Sequence, residues 1–419
     1  MKKLIYIPII ILAFISSSCE DRITEIFTGN SPVYMSYEDL RIAVKQGDAR
    51  ELENPGKIYF KDNYIFIVEE MKGIHLINNA DPSNPENISF LEIPGNVDIA
   101  VKGNILYADS YVDLVALDLS DLNNITEVGR VKNILPYTVP EFDIEYPVAQ
   151  IDENEGVVTE WEIKKVKQQR ENRNYPTYRN WDGAAEDSGS YSGGGGVSAN
   201  GIGVGGSMAR FGISENTLFA VDNTMLHIFS LADSKKPEFS KEFNAGWGIE
   251  TLFILGDNMF LGSQFGMRIY DISIPNSPMY ISDFWHATGC DPVVVQGDLA
   301  YITLRGGNAC GNQVNQLIVV SVENIREPLE LKAYPMNGPY GLGIDGSTLF
   351  VCDGEAGLRV FDVTNPRKIT DNELAIFPDI FGYDVIPING ILLLIGDDGF
   401  YQYDYSDVTD IKLLSKIEI

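Results

Sequence analysis

The stretch Gly-Leu-Arg-Val-Phe-Asp-Val-Thr-Asn-Pro-Arg-Lys-Ile, residues 357–369, is the clearest copy of a unit that recurs along this chain. Seven copies can be recognised, and they begin at Gly73, Asp113, Met225, Gly266, Gln316, Gly357 and Gly399. Successive copies start 40, 112, 41, 50, 41 and 42 residues apart. One period near 41 residues therefore describes the chain, apart from an insertion of about 70 residues between copies two and three. Such a period indicates repeated supersecondary units.

Each copy predicts four short antiparallel strands. Its apolar run, rich in β-branched and aromatic residues, is one strand. A short polar side chain of the kind that bonds the next turn ends that strand, at Asn78, Asp118, Ser230, Asp271, Ser321, Asp362 and Asp404. Prolines such as Pro366 then stop the ladder. Two strands precede the run and one follows, joined by Gly, Asp or Asn turns. The sequence therefore predicts an all-β fold, a seven-bladed β-propeller of four-stranded antiparallel blades with one long insertion between blades two and three.

The repeat also resembles a known family. Its words, Gly-Leu-Arg-Val-Phe-Asp-Val-Thr-Asn-Pro, resemble those of the bacterial LVIVD-repeat β-propeller lipoproteins. The resemblance extends over residues 57–419 and is strongest at 266–278 and 357–366. Copies three and five depart from it, because they have Met225 and Gln316 for the opening glycine and Ser230 and Ser321 for the aspartate. The resemblance implies a propeller fold and an exported location, and it implies no activity.

The first residues are predicted to be a targeting signal. Lys2 and Lys3 form a positive region, residues 4–15 an apolar stretch too short to span a bilayer, and residues 16–18 a small-residue cleavage zone. Cys19 follows directly, and the arrangement resembles a bacterial lipoprotein signal, in which the cysteine is acylated and anchors the chain to a membrane. The alternative is ordinary secretion with Cys19 incidental. We expect a lipid-anchored protein of the bacterial outer membrane, periplasmic or exposed at the cell surface.

Three parts of the chain follow from these patterns. Residues 1–18 are the signal peptide, 19–56 a lipidated tether and N-terminal segment, and 57–419 the propeller with an insertion at about 135–206. Residues 34–42 are expected either to pair with the last blade or to pack under the ring.

The insertion has two distinct halves. Residues 157–163 predict a strand, and a local basic cluster follows it at 164–173. Residues 188–206 are so rich in glycine and serine that they predict a flexible flap over the channel mouth. Residues 201–206 match GxGxxG, but no strand precedes them and a strand follows where a helix should start. A dinucleotide site is therefore not predicted.

The composition is strongly acidic. Lys and Arg number 31 against 60 Asp and Glu, a net charge of −29 at pH 7. Removing Lys2 and Lys3 with the signal makes this −31. Such a surface repels nucleic acid and anionic lipid head groups, although solubility alone also explains it. We expect no nucleic-acid partner and a monomeric protein.

Two cysteines are predicted to be bridged. Cys290 precedes the inner strand of blade five, and Cys310 follows the second strand of the same blade. Antiparallel pairing brings those two ends together, and an exported protein favours a disulfide over two free thiols. Cys352 falls within a strand and is expected to be a small buried hydrophobe.

The blade topology predicts a ligand face. Connections from a fourth strand to the next inner strand, and from second to third strands, emerge at the same end of the ring. Aromatic and polar residues suited to recognition fall in these loops: Trp247, Trp285, His286, Asp291, Tyr340, Tyr383 and Asp384. The alternative is that Trp247, Tyr340 and Tyr383 only fill the central channel.

The same end carries carboxylates near the starts of inner strands, at Asp98, Glu250, Asp291 and Asp384. A ring of them could bind a divalent cation, although no cofactor is required by the pattern and the metal is unknown. HExxH, P-loop, nucleophile-elbow and triad patterns are absent from the sequence, so no catalytic residue is assigned. The first expectation is a non-enzymatic, lipid-anchored propeller that binds a protein, peptide or glycan. The alternative is a propeller hydrolase or lyase with a metal at the channel mouth.

Overall fold

The structure is a computed structural model that describes residues 24–169, 202–205, 207, 209–287, 292–306 and 314–419. The described strands form an all-β, seven-bladed β-propeller, with four antiparallel strands in each blade in sequence order from the ring centre outward. The predicted fold is therefore confirmed.

The bounds of the elements follow the chain. The N-terminal elements are β1 (Thr24–Met35), α1 (Tyr37–Leu40) and β2 (Lys45–Gly47). Blade 1 consists of β3 (Pro55–Lys61), β4 (Tyr64–Glu69), β5 (Gly73–Asn78) and β6 (Glu86–Glu92). Blade 2 consists of β7 (Ile99–Lys102), β8 (Ile105–Ser110), β9 (Asp113–Asp118) and β10 (Thr126–Val131). The insertion contributes β11 (Val157–Gln169) and β12 (Val204–Gly205).

The remaining blades are continuous in sequence. Blade 3 consists of β13 (Phe211–Ser214), β14 (Thr217–Val221), β15 (Met225–Ser230) and β16 (Glu238–Asn244). Blade 4 consists of β17 (Ile249–Leu255), β18 (Asn258–Ser263), β19 (Gly266–Asp271) and β20 (Met279–Trp285). Blade 5 consists of β21 (Val293–Gln296), β22 (Leu299–Leu304), β23 (Gln316–Ser321) and β24 (Leu329–Pro335).

The last two blades include short 3-10 helices. Blade 6 consists of β25 (Leu342–Asp345), β26 (Thr348–Cys352), β27 (Leu358–Asp362) and β28 (Glu373–Phe377), with 3-10 helices at Gly354–Ala356 and Ile369–Asp371. Blade 7 consists of β29 (Gly382–Ile388), β30 (Ile391–Gly396), β31 (Gly399–Asp404) and β32 (Lys412–Glu418).

The repeated glycine has a steric cause. Gly266 and Gly399 open third strands with φ of 149° and 145°, in the region that L side chains rarely adopt. A Cβ on Gly266 would lie 2.1 Å from the carbonyl oxygen of Phe284, and one on Gly399 would lie 2.3 Å from that of Ile417. Both carbonyls belong to the fourth strand of the same blade. The glycine therefore lets the fourth strand approach the start of the third.

The polar residue that ends the unit bonds the turn as predicted. Asp362 Oδ1 accepts from the backbone N–H of Thr364 at 2.8 Å, and Asp271 Oδ1 accepts from that of Ser273 at 2.8 Å. Each bond satisfies a donor of the exit turn that no strand ladder reaches. The repeated sequence unit therefore contains both a strand and the polar residue that stabilises the turn after it.

Apolar side chains of adjacent blades form the core. Ile65 of blade 1, Leu394 of blade 7 and Phe350 of blade 6 belong to one buried cluster. Full burial of such a side chain contributes about 1.5–3 kcal/mol. Blades 1 and 7 are therefore joined by side-chain packing. A bond of 2.7 Å from Gln402 Nε2 to Asn79 Oδ1 supports the same junction.

The described N-terminal segment, from residue 24, does not pair with a strand of blade 7. β1 pairs antiparallel with β11 of the insertion from Thr24 opposite Gln169 to Met35 opposite Val157. The following residues pack on blades 1 and 2, where Arg41 Nε lies 3.0 Å from Asp113 Oδ2. Of the two expectations for residues 34–42, pairing with the last blade is wrong. Because β1 and β11 are separated by more than a hundred residues, nothing local in the sequence indicates their pairing.

The predicted strand in the insertion exists but is longer. It continues beyond residue 163 through the basic residues to Gln169. The prediction of a flexible flap at 188–206 is wrong for residues 202–205, which lie in the channel. β12 pairs with β3 of blade 1, and Ile202 forms a bridge to Lys102 of blade 2. Residues 188–201 lie outside the described residues.

Glycine makes this channel strand possible. A Cβ on Gly203 would lie 2.2 Å from Cε1 of Tyr59. The Tyr59 hydroxyl donates to the Gly203 carbonyl at 2.8 Å, and the Gly203 N–H donates to the Val101 carbonyl at 2.9 Å. A glycine-rich segment is flexible only where it does not pack against the rest of the protein. Here the absence of side chains allows close packing instead.

Candidate functional site

One end of the ring collects the candidate residues. In blade 4, Gly266 at the start of β19 lies opposite Trp285 at the end of β20. The turn between the second and third strands therefore lies beside the connection to the next blade. We name this the loop-rich end of the propeller. It is the end that the sequence predicts to carry the ligand face.

A buried ion pair lies where the inner strands of blades 1 and 2 meet. Lys57 Nζ of β3 is 2.5 Å from Asp98 Oδ2, which precedes β7, and each side chain is 4% exposed. Asp98 Oδ2 also accepts from the backbone N–H of Arg210, and Asp98 Oδ1 from that of Ile99 at 2.7 Å. Burial lowers the pKa of Lys57 to about 8, and Asp98 opposes this by favouring the charged ammonium. Burial also raises the pKa of Asp98, and the Lys57 ammonium opposes that shift, so each charge depends on the other.

A second buried carboxylate holds the insertion. Asp384 of β29 is fully buried, and its Oδ1 accepts from the N–H of Ser207 at 3.0 Å, from the Ser207 hydroxyl and from the N–H of Val385 at 2.8 Å. Its Oδ2 is buried without a partner among the described residues. Burial raises the pKa of Asp384 to about 7. We name the Ser207–Asp384 contact the latch, because it joins the end of the insertion to blade 7.

The pKa of Asp384 predicts a pH-dependent stability. Its folded value near 7 exceeds the ordinary 3.8. The folded state therefore binds the proton more tightly, and the stabilisation is full below about pH 4 and lost as the pH rises through 7. Asp384→Asn keeps the Oδ1 acceptor without the charge. We expect the variant to melt higher than the wild type at pH 8 and to lose that advantage at pH 4, a change of a few kcal/mol at about 1.4 kcal/mol per pKa unit.

Thermal melts at pH 4 and pH 8 measure this difference. Exposed Asp298→Asn is the control with the same chemical change. An advantage of Asp384→Asn that is equal at both pH values would contradict the assignment.

Two of the predicted ligand-face aromatics are buried. Tyr340 and Tyr383 are packed 5.9 Å apart between ring centroids, and Phe381 lies 5.3 Å from Tyr340. The Arg305 guanidinium lies 3.8 Å from the centroid of the Tyr340 ring. Both tyrosines belong to the buried cluster that joins blades 6 and 7, so neither ring is exposed for ligand recognition in this structure. Burial raises the pKa of the Tyr383 hydroxyl.

Three other aromatic side chains are exposed at the loop-rich end of blade 4. Trp247 is 70% exposed, Trp285 64% and Phe265 39%. The turns that carry them are tied together, because Gln264 donates to the Gly248 carbonyl at 2.9 Å and His286 to the Phe265 carbonyl at 3.3 Å through their backbone N–H groups. We name Trp247, Phe265 and Trp285 the aromatic edge. Phe265 was not predicted from the sequence.

The other predicted residues have less specific surroundings. His286 is half-buried, with Nδ1 2.7 Å from the Ala287 carbonyl oxygen. Glu250 Oε1 accepts from Gln264 Nε2 at 3.1 Å. Cys352 is buried in β26 as expected, and burial raises the pKa of its thiol. Asp291, the Cys290–Cys310 disulfide and the acylated Cys19 lie outside the described residues and stay predictions.

The described carboxylates do not form the predicted ring. Asp98 is bonded to Lys57 and the Arg210 N–H, and Asp384 to Ser207. Within the ranges that the structure describes, no three His, Cys, Asp or Glu side chains form a group that could hold a metal ion. Since Asp291 is not among them, the possible divalent cation stays a prediction.

Sequence reasoning missed Lys57, Ser207 and Arg210. One signal for Lys57 was available: it stands at the start of an inner strand, where blades 2 and 7 have Asp98 and Asp384. A cation at that repeat position in one blade, with an anion at the same position in the next, indicates an ion pair between neighbouring inner strands. Ser207 carries no comparable signal, because its role depends on the path of the insertion.

Comparison with known proteins supports the fold and goes no further. No protein-family model matches the chain, and no curated protein sequence matches it. The structure is similar to that of the periplasmic gluconolactonase PpgL of Pseudomonas aeruginosa, with a TM-score of 0.54, 10% identity and coverage of 87% of this chain and 96% of that one. At such identity the likeness shows the propeller fold alone. The resemblance to the LVIVD-repeat family stays a prediction.

Two further structures are similar at lower scores. The computationally designed Ika8 protein has a TM-score of 0.49 and 9% identity, covering 88% of this chain and 90% of that one. Hsv2 of Kluyveromyces lactis has a TM-score of 0.48 and 12% identity, covering 88% of this chain and 100% of that one.

Proposed function

We propose that this protein is an exported, lipid-anchored β-propeller that binds a protein, peptide or glycan at its loop-rich end. The observation that carries the proposal is the aromatic edge. Two tryptophans more than half exposed stand at the same end of blade 4 and leave apolar area in water, and exposed apolar surface of this kind marks interaction sites. Tryptophan is also among the residues that contribute most to binding energy at interfaces.

The rigid setting of the aromatic edge supports the same conclusion. Trp285 is the last residue of β20 and lies opposite Gly266 of β19, and the turns of Trp247 and Phe265 are bonded to their neighbours through backbone groups. Side chains on such a scaffold lose little conformational freedom on binding, so more of the contact energy appears as affinity. Polar side chains brace the same turns, because Asn244 Oδ1 accepts from the Gly246 N–H at 3.1 Å and the Arg268 guanidinium donates to the Ala245 carbonyl at 2.9 Å.

The alternative function, a metal-dependent hydrolase or lyase at the channel mouth, has weaker support. It needs several carboxylates whose oxygens approach one ion within about 2.3–2.6 Å. Asp98 is already paired with Lys57, and Asp384 carries the latch. β12 also lies against the inner strand of blade 1. A binding function does not require any of these groups to be released.

The membrane anchor belongs to the same proposal. Cys19 follows the small residues 16–18 directly, and β1 begins at Thr24, five residues later. No helix in the portion of the chain that the structure describes is long and apolar enough to cross a membrane. Acylation of Cys19 would place the propeller at the surface of the bacterial outer membrane.

The aromatic edge predicts the outcome of a binding test. The mature chain is applied to a glycan array and to cell-surface protein fractions, with and without EDTA, and the captured ligand is titrated. We expect Trp247→Ala combined with Trp285→Ala to weaken binding by about thirtyfold or more, the effect of losing at least 2 kcal/mol from interface anchors.

Ile274→Ala is the matched control, because Ile274 is a similarly exposed apolar residue of blade 4 on the exit turn at the opposite end. It should leave binding unchanged. Equal affinity of the wild type and the double tryptophan variant would contradict the proposed site. Loss of binding in EDTA would favour the metal-dependent alternative.

A further inference from the structure

The ribbon formed by β1 and β11 presents an unusual exposed surface. Its base is anchored, because Val157 is buried with Leu40, Tyr111 and Val112 against blades 1 and 2. Its far end runs to the pair Thr24 and Gln169, both exposed. Eleven residue steps of about 3.3 Å make the ribbon roughly 36 Å long at most. Its far end is therefore well separated from its base.

One face of the far end is exposed and free of carboxylates. Directly paired residues share a face, and successive residues alternate between faces. Ile26 lies opposite Lys167, and Thr28 opposite Lys165, with Ile163 next on the same side. All five are exposed, Ile26 by 57% and Ile163 by 45%. We name Ile26, Thr28, Ile163, Lys165 and Lys167 the ribbon face.

The acidic residues of the ribbon fall on the other face. Glu25, Glu160 and Glu162 alternate with the residues of the ribbon face, and Glu162 pairs with Lys164 at 2.5 Å. Phe27 and Val166 of that second face are half-buried. Two lysines and two isoleucines thus project from one face of the ribbon, in a chain of net charge −29. Toward the base, Asn30 opposite Ile163 is buried and bonded to the backbone of Asp143, so the exposed lysines lie toward the far end of this face.

This chemistry fits an anionic lipid surface. Isoleucine side chains enter the boundary between head groups and acyl chains, while lysines extend their ammonium groups to lipid phosphates. At physiological salt the Debye length is about 8 Å, so the acidic propeller beyond that distance is largely screened from the membrane. The charge of the ribbon face, rather than the net charge of the whole protein, then determines whether the ribbon binds the membrane.

The position in the chain brings this face to a bilayer. Residues 19–24 span at most about 18 Å when extended, at up to 3.6 Å per residue. If Cys19 is acylated, β1 begins within that distance of the membrane. We propose that the ribbon face lies on the anionic membrane surface and sets the orientation of the propeller. This inference rests on the lipid anchor of the proposed function, and its partner is a bilayer that contains anionic phospholipid.

Vesicle binding without the lipid tests the ribbon face independently of the anchor. The chain from residue 19 to 419 with Cys19→Ser contains every described residue. We expect it to sediment with phosphatidylcholine vesicles that contain phosphatidylglycerol, and not with phosphatidylcholine alone. Lys165→Glu with Lys167→Glu should weaken binding by at least about 25-fold, since each lysine near an anionic surface is worth about fivefold.

Lys236→Glu with Lys368→Glu is the matched control, because it makes the same charge change at exposed lysines in exit turns of blades 3 and 6. It should leave vesicle binding unchanged. Equal binding to both vesicle types, no binding to the anionic vesicles, or no effect of the Lys165 and Lys167 reversals would overturn the ribbon-face proposal.

The anchor itself is tested separately in cells. The full-length chain should fractionate with membranes and incorporate labelled fatty acid, and Cys19→Ser should abolish the incorporation. Absence of label in the wild type would refute the anchor while leaving the vesicle result on the ribbon face intact.

Discussion

Replacing the buried lysine, Lys57→Met, is expected to lower the free energy of unfolding by about 3–5 kcal/mol, the usual consequence of removing one partner of a buried ion pair. Lys57 Nζ lies 2.5 Å from Asp98 Oδ2, and both side chains are almost completely buried. In the variant, the Asp98 carboxylate stays in a low-dielectric site but has lost the neighbouring ammonium group that balanced its charge. Denaturant unfolding at pH 7 measures the loss. At low pH the loss should shrink, because Asp98 is then protonated.

Two controls separate the ion pair from general damage. Lys45→Met removes the partner of Glu92 at 3.0 Å, but that pair is exposed and should change stability by less than about 1 kcal/mol. Lys57→Met combined with Asp98→Asn leaves no unpaired charge and should recover part of the loss. The recovery is incomplete because both Asp98 oxygens accept backbone N–H groups and an asparagine offers one oxygen. A double variant as unstable as Lys57→Met alone would show that packing, and not charge, gives Lys57 its importance.

Adding one methyl group in the channel, Gly203→Ala, is the second large expected effect. The new Cβ would lie 2.2 Å from Tyr59 Cε1 and 2.9 Å from the Phe60 carbonyl oxygen, so β12 has to move. Overpacking of this kind costs about 1–3 kcal/mol. The movement also weakens the bond from the Tyr59 hydroxyl to Gly203. We expect a lower melting temperature and faster amide exchange at residues 202–205.

Gly338→Ala is the control for this substitution. A Cβ on Gly338 meets nothing within 4 Å. It should therefore leave the melting temperature unchanged. Replacing residues 202–205 with a flexible linker should destabilise the protein at least as much as Gly203→Ala. Unchanged stability in both variants would restore the interpretation of this segment as a flexible flap.

Much of the fold was predictable because its rules are local. The glycine that opens a third strand and the polar residue that ends it act within one blade, where Gly266 admits the carbonyl of Phe284 and Asp362 bonds Thr364. Repetition of that unit about every 41 residues then leads to seven blades. Candidate loops at one end of the ring follow from the same topology. Trp247 and Trp285 were identified in this way.

The contacts between neighbouring blades were not predictable in the same way. Tyr340 and Tyr383 are flanked in the sequence by glycine and polar residues, as exposed binding loops often are, yet both side chains are buried. Lys57 meets Asp98 only because two blades place their inner strands side by side. The glycine-rich segment was predicted to be flexible because its composition indicates a high entropic cost of ordering. Composition does not indicate whether another part of the protein packs against the segment.

The sequence by itself determined the repeat, the strand order within each blade, the number of blades and the end of the ring that carries the loops. Tertiary structure alone decided the pairing of β1 with β11, the strand of residues 204–205 beside blade 1 and the latch between Ser207 and Asp384. The physical reason is separation along the chain. Dihedral preferences, turn bonds and strand alternation act over a few residues, so they are written in a local pattern. Contacts between distant segments depend on which surfaces meet once the ring has closed, and β12 fits there because Gly203 leaves room for the ring of Tyr59.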